Sequence, residues 1–68
     1  MNNLKAVRLS KGMSQFELAK LSNVGPGEIS RLENGKIFPY PGWRQKLAEA
    51  LQVSEETIFP DVQEEDEK

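Results

Sequence analysis

Residues 14–35, SQFELAKLSNVGPGEISRLENG, place two helix starts and two helix stops within 22 residues, which leaves room only for a pair of short helices. Ser14-Gln15-Phe16-Glu17 reads as a capping box. The serine hydroxyl accepts the backbone N–H of Glu17, and the Glu17 carboxylate reaches back to the N–H of Ser14. Apolar Leu18 and Ala19 follow, and the polar break Ser22-Asn23 comes before Val24. At Gly25-Pro26 the proline suits the first turn of a new helix, since its missing N–H would have no partner there anyway. That second helix turns Ile29 and Leu32 toward a core and stops at Asn34-Gly35, where glycine accepts a left-handed backbone.

A chain of 68 residues makes one small domain and buries only ~60% of the surface its unfolded form exposes. It holds no cysteine and no histidine, so disulfides, thiolate or imidazole metal sites and His-based acid–base catalysis are excluded. The carboxylates are spread over helix starts and the C-terminal end, with no glycine-rich phosphate loop to complete a reaction site. No enzyme activity, catalytic residue, metal, cofactor or small-molecule ligand is expected. No apolar run approaches the ~18 residues that span a bilayer, and MNNLKAVRLSKG lacks a signal-peptide core. These features predict a cytoplasmic protein with no membrane partner, and the initial methionine and acidic end point to a stand-alone chain. The formal net charge of −2 conceals an asymmetry: residues 5–46 hold eight basic and three acidic side chains, and residues 47–68 hold one basic and eight acidic. Local field decides what a surface attracts, so the first two-thirds can face a polyanion.

The coarse reading is all-α, with five helices and a tail. The first covers about residues 3–11 with Leu4 and Val7 on one face and Gly12 as its stop, the second about 15–21, and the third about 26–34. Two prolines make residues 36–42 a connection. The fourth helix runs from 41 to about 52 with Trp43, Leu47, Ala50 and Leu51 at three- and four-residue steps. Ser54 caps a short fifth helix over 55–59, and Pro60 ends it. The predicted core holds Leu18, Ala19, Val24, Ile29, Leu32, Trp43, Leu47, Leu51, Val53, Ile58 and Phe59. Residues 61–68 carry one apolar side chain and a majority of acids, so they are expected to form a disordered acidic tail beyond a domain at 1–60. Two short helices joined by a break of about four residues have the spacing that lets the second cross a DNA groove.

Gln15-x-x-Leu18-Ala19, the Val24 turn, residues 29–35 (ISRLENG) and residues 47–54 (LAEALQVS) resemble the Cro/phage-repressor type of helix-turn-helix, also called XRE-like. The resemblance covers residues 3–60. It implies a five-helix DNA-binding domain, with the helix-turn-helix at helices 2 and 3, that inserts helix 3 into the major groove of an operator. The implied function is sequence-specific transcriptional regulation, with repression as the expected sign, in bacteria or phages. The implied partners are double-stranded DNA and a second copy of the chain, at least on DNA. Gln15 corresponds to a glutamine that holds a DNA phosphate, and Arg8 with Glu33 to a largely buried ion pair between the first and third helices. Lys36 and Arg44 fall in regions that flank the DNA backbone, with Lys46 beside them. Tyr40 is expected either to donate its hydroxyl to a phosphate or to pack on Pro39 or Trp43. Asn23 stands where the family's turn has glycine, a change asparagine tolerates at positive φ.

One departure is consequential. The first two positions of the family's recognition helix commonly carry glutamine or serine, and here they are Pro26 and Gly27, followed by Glu28. Neither of the first two has a hydrogen-bonding side chain, so amide readout of adenine is lost there. Three outcomes stay open: base readout moves one turn on to Ser30 and Arg31, with Arg31 able to bridge guanine O6 and N7; specificity comes from DNA shape, with Pro26-Gly27 allowing close backbone approach; or the surface serves as a protein-interaction module of antitoxin or anti-repressor type. Glu28 either accepts from a cytosine amine or repels phosphate and imposes orientation. Leu9, Phe16, Ile37 and Phe38 are apolar residues outside the core pattern and candidates for an oligomer contact.

Overall fold

The computed structural model describes residues 2–62, and among them all regular structure is helical: α1 (Leu4–Ser10), α2 (Gln15–Ser22), α3 (Pro26–Glu33), α4 (Pro41–Leu51) and α5 (Glu55–Ile58). The starts follow local chemistry. Ser14 and Glu17 exchange the two bonds of the capping box, at 3.1 Å to the serine Oγ and 2.8 Å to the glutamate Oε1, satisfying two donors the helix leaves orphaned. Ser54 caps α5 by accepting from the Thr57 N–H at 3.2 Å, and α3 and α4 each open on a proline.

Three of the helix ends share one device. At Gly35 (φ +69°) the N–H donates to the Leu32 carbonyl at 3.2 Å, and the Lys36 N–H donates to the Arg31 carbonyl at 2.8 Å. This is the paired closure of a Schellman motif. α1 closes the same way at Gly12, and α4 at Gln52 (φ +60°), whose N–H reaches the Glu49 carbonyl while that of Val53 reaches Ala48. The α4 stop carries no glycine and was legible only as a loss of apolar period. Between α2 and α3, Asn23 takes the left-handed conformation (φ +63°). Buried Ser22 fastens that turn, donating to the Leu18 carbonyl at 2.7 Å and accepting from the Val24 N–H at 3.2 Å.

The core is Leu4, Leu18, Val24, Ile29, Leu32, Leu47, Ala48, Leu51, Ile58 and Phe59. α2 lies at its centre, against both α3 and α4; α5 packs on α4, and α1 on α3. Three residues expected inside lie at its edge: Ala19, Trp43 and Val53 are only partly buried. α4 rotates so that Arg44, Leu47, Ala48 and Leu51, one i, i+3, i+4, i+7 stripe, face inward. Trp43 is thereby left at the border. The N-terminus is tied across the fold, with Asn2 Nδ2 on the Leu32 carbonyl at 2.7 Å and the Asn3 N–H on the Ile58 carbonyl at 2.8 Å. At the other end Val62 packs against the core, so ordered packing runs past the boundary expected at residue 60. Of the expected acidic tail, residues 63–68 lie outside the described residues.

Candidate nucleic-acid interface

The inner face of the helix pair is organised by one carboxylate. Glu33, the last residue of α3, receives Arg8 Nε on Oε2 at 2.6 Å and Arg8 Nη2 on Oε1 at 3.3 Å. Arg8 Nη1 continues to the Met13 carbonyl at 2.7 Å. Both side chains are almost fully buried, 7% and 3% exposed for Arg8 and Glu33. Gln15 joins them: its Nε2 donates to Glu33 Oε1 at 3.0 Å. An amide nitrogen carries two hydrogens. One is held inward by Glu33, and the other is left at the half-buried start of α2. The Glu33 carboxylate thus sets the orientation of Gln15. Sequence reasoning treated Gln15 and the Arg8–Glu33 pair as separate, since nothing in their spacing links a helix-start amide to the end of the next helix.

The outer face of α3 is exposed. Pro26, Gly27 and Arg31 are open to solvent, and Glu28 and Ser30 are half-exposed. Arg31 folds back along the helix: its Nη1 comes within 3.7 Å of the point a Cβ on Gly27 would occupy, and within 3.6 Å of Glu28 Oε2. The i, i+3 and i, i+4 neighbours of a helix share a face, and the missing side chain at Gly27 leaves that face to the guanidinium. The Glu28 carboxylate curls over Gly25, where any Cβ would collide with it. It therefore lies at the positive end of the α3 dipole.

The flanking residues fall into three situations. Lys36 is exposed just past the α3 stop. Tyr40, 61% exposed, has its ring edge-to-face with Phe38 at 4.8 Å and tilted toward Trp43 at 6.1 Å. Arg44 corrects the expectation that it lies along the DNA backbone. It is 2% exposed, its Nη1 on the Pro39 carbonyl at 2.8 Å and its Nε on Glu55 at 3.2 Å. The inward stripe of α4 puts Arg44 under the connection from α3, where it braces that connection against α5.

Two residues outside the predicted site border the start of α3. Phe16 and Lys20 line a groove with Ala19, Asn23, Val24, Gly25 and Pro26. The available signal was spacing, since residues 16, 20 and 23 share the helix face opposite buried Leu18 and Ser22. Of the apolar residues set aside for an oligomer contact, Leu9, Phe16 and Phe38 are exposed, joined by Leu21. Ile37 is instead partly buried against the core.

A family model described as a helix-turn-helix domain matches residues 2–58 of this chain. The chain belongs to the XRE-like helix-turn-helix family. This helix-turn-helix protein is 40% identical over 57 residues to the HTH-type transcriptional repressor RghR of Bacillus subtilis (strain 168). The match takes in 82% of the chain and 42% of that relative, so the chain spans less than half of the relative's length. Among the described residues of the helix-turn-helix protein, no helix is long and apolar enough to cross a membrane, and no group of three or more His, Asp or Glu side chains is placed to hold a metal ion.

Proposed function

We propose that this domain is a sequence-specific DNA-binding transcriptional regulator, acting as a repressor, that lays α3 in the major groove of an operator as a homodimer on DNA. The observation that carries this reading is the division of α3 into two faces. Ile29, Leu32 and Glu33 are fixed inside, while Pro26, Gly27, Ser30 and Arg31 project from the same rigid helix. Relatedness to a protein named as a transcriptional repressor supports the same function.

Within that reading, Arg31 is the principal base reader. A guanidinium bridging guanine O6 and N7 supplies about 1–3 kcal/mol of discrimination. Pro26 and Gly27 let the backbone of α3 approach the base edges, and Ser30 supplies a hydroxyl one turn on. Gln15 offers its outward N–H to a phosphate beside the start of α2, an arrangement that fixes register rather than sequence. Lys36 and the Tyr40 hydroxyl serve the flanking phosphates. Glu28, at the groove end of α3, repels phosphate and sets orientation. Arg44 has no part in the contact.

Selection of preferred duplexes from a random pool with the purified protein is the test. A single enriched motif, bound with a strong inverse dependence on salt, is the expected result. Retention of the pool with no enriched motif would overturn sequence-specific regulation by this domain.

A further inference from the structure

We infer that Phe16, with Ala19 and Pro26, forms an apolar reader for thymine 5-methyl groups at the edge of the recognition helix. The inference rests on the operator-binding reading and adds to it a second kind of base contact, supplied by α2 instead of α3.

Phe16 is 72% exposed, more than any other large apolar residue of the described chain. It belongs to neither the core nor the residues packed against it. Its position is not arbitrary. It shares a groove with Ala19, Val24 and Pro26, and Pro26 is the first residue of α3. Gln15, the proposed phosphate anchor, precedes it directly. The groove is mostly apolar, with Lys20 and Asn23 as its polar members, so it suits an apolar group that lies beside negative charge. The major-groove edge of a thymine does this: the 5-methyl group projects beside the phosphate backbone, and apolar side chains, phenylalanine among them, contact it. The loss of hydrogen-bonding side chains at Pro26 and Gly27 then has a counterpart. The first turn of α3 and the adjoining face of α2 read by contact with methyl groups, and Arg31 reads by hydrogen bonds one turn further along. A second copy of the chain seated on the groove would cover the start of α3, which the proposed DNA contact needs free.

The selected duplex provides the test. Its thymines are replaced one at a time by deoxyuridine, which removes only the methyl group, and affinities are compared for the wild type, Phe16→Ala and Phe16→Leu. One or two neighbouring positions should lose about fourfold per methyl with the wild type, the worth of one buried CH₂ group. Phe16→Ala should bind the thymine duplex weakly and be indifferent to uracil at those positions, and Phe16→Leu should restore most of the discrimination. The side chain buries little, so both variants keep the wild-type melting temperature. Uracil tolerated everywhere by the wild type, or a uracil penalty unchanged in Phe16→Ala, would overturn the methyl reader while leaving operator binding intact. A change in oligomeric state in Phe16→Ala with unaltered discrimination would overturn it in favour of a contact between copies. If no duplex is enriched at all, operator binding falls, and the reader with it.

Discussion

Glu33 and Glu28 stand on one eight-residue helix, each facing an arginine, yet the two pairs differ in kind. Glu33 meets Arg8 at 2.6 Å with both side chains buried, and Gln15 closes the same carboxylate from a third side. Glu28 meets Arg31 at 3.6 Å with the side chains 43% and 58% exposed. The first pair has been withdrawn from water, so its members have only each other and their hydrogen-bond partners. The second can trade its partner for water or for a DNA base at little cost, because an exposed ion pair is worth only about 0–1 kcal/mol. One side of α3 is built to stay fixed, and the other to exchange partners. A recognition helix needs both.

The largest test of this contrast is Glu33→Gln. The substitution leaves Arg8 buried with its charge uncompensated, and stability measured by urea unfolding should fall by about 3–5 kcal/mol. That is a large share of the ~5–15 kcal/mol that holds a typical domain together. Replacing both partners, Arg8→Met with Glu33→Leu, should recover much of the loss, since a buried pair is often no more stabilising than apolar residues of similar volume. A single substitution costing under 1 kcal/mol would show the pair to be hydrated and would erase the distinction from Glu28–Arg31.

Arg44 sharpens the comparison because it is mixed: the arginine is buried, but its partner Glu55 is 37% exposed. Arg44→Met should destabilise by about 1–3 kcal/mol, the cost of leaving the part-buried Pro39 carbonyl without its donor, because Glu55 can hydrate. Thermal unfolding checks the size. In gel shifts, its affinity for DNA at temperatures well below melting should match the wild type. A selective loss of DNA binding would return Arg44 to the interface.

Much of the frame was legible because it is local. The Ser14–Glu17 box, the proline starts and the Gly12 and Gly35 stops each follow from a few adjacent residues, and the helices lie within a residue or two of where those signals put them. What was not legible depends on how helices rotate against one another. Periodicity put Trp43 on the same stripe as Leu47 and Leu51, but the stripe through Arg44 is the one that faces inward. A four-residue repeat admits either phase when an arginine can be buried by finding a carbonyl and a carboxylate. The meeting of Gln15 with Glu33, and the groove that Phe16 and Pro26 share, likewise arise from the angle between α2 and α3, which no local signal encodes.

On the exposed side of α3 the contrast predicts a division of labour in DNA binding. Arg31→Ala should relax preference at one base position by about 1–3 kcal/mol, read as loss of enrichment there when selection is repeated, with stability changed by less than ~0.5 kcal/mol. Gln15→Ala should weaken binding to all duplexes alike by about 0.5–1.5 kcal/mol, the net worth of one hydrogen bond. Its effect on stability should be small because Glu33 keeps Arg8. Equal effects of both variants on every sequence would show that α3 does not read bases through Arg31.

The smallest effect is the most discriminating about the reading head itself. Glu28 lies over the start of α3 and pairs with Arg31; in the proposed DNA contact it would meet an incoming phosphate and compete with a base for the guanidinium. Glu28→Gln removes a negative charge and releases the arginine without altering the shape of the side chain. Affinity should rise by no more than about fivefold at low salt, the equivalent of ~1 kcal/mol at most, on every duplex and most where Arg31 meets its guanine. The gain should shrink as salt screens the charge. Stability should change by less than ~0.5 kcal/mol, since an exposed pair at this separation contributes little to the fold. If the variant instead loses affinity only on duplexes with a cytosine at one position, Glu28 is accepting a hydrogen bond from that base, and the exposed pair is two readers rather than a reader and its restraint.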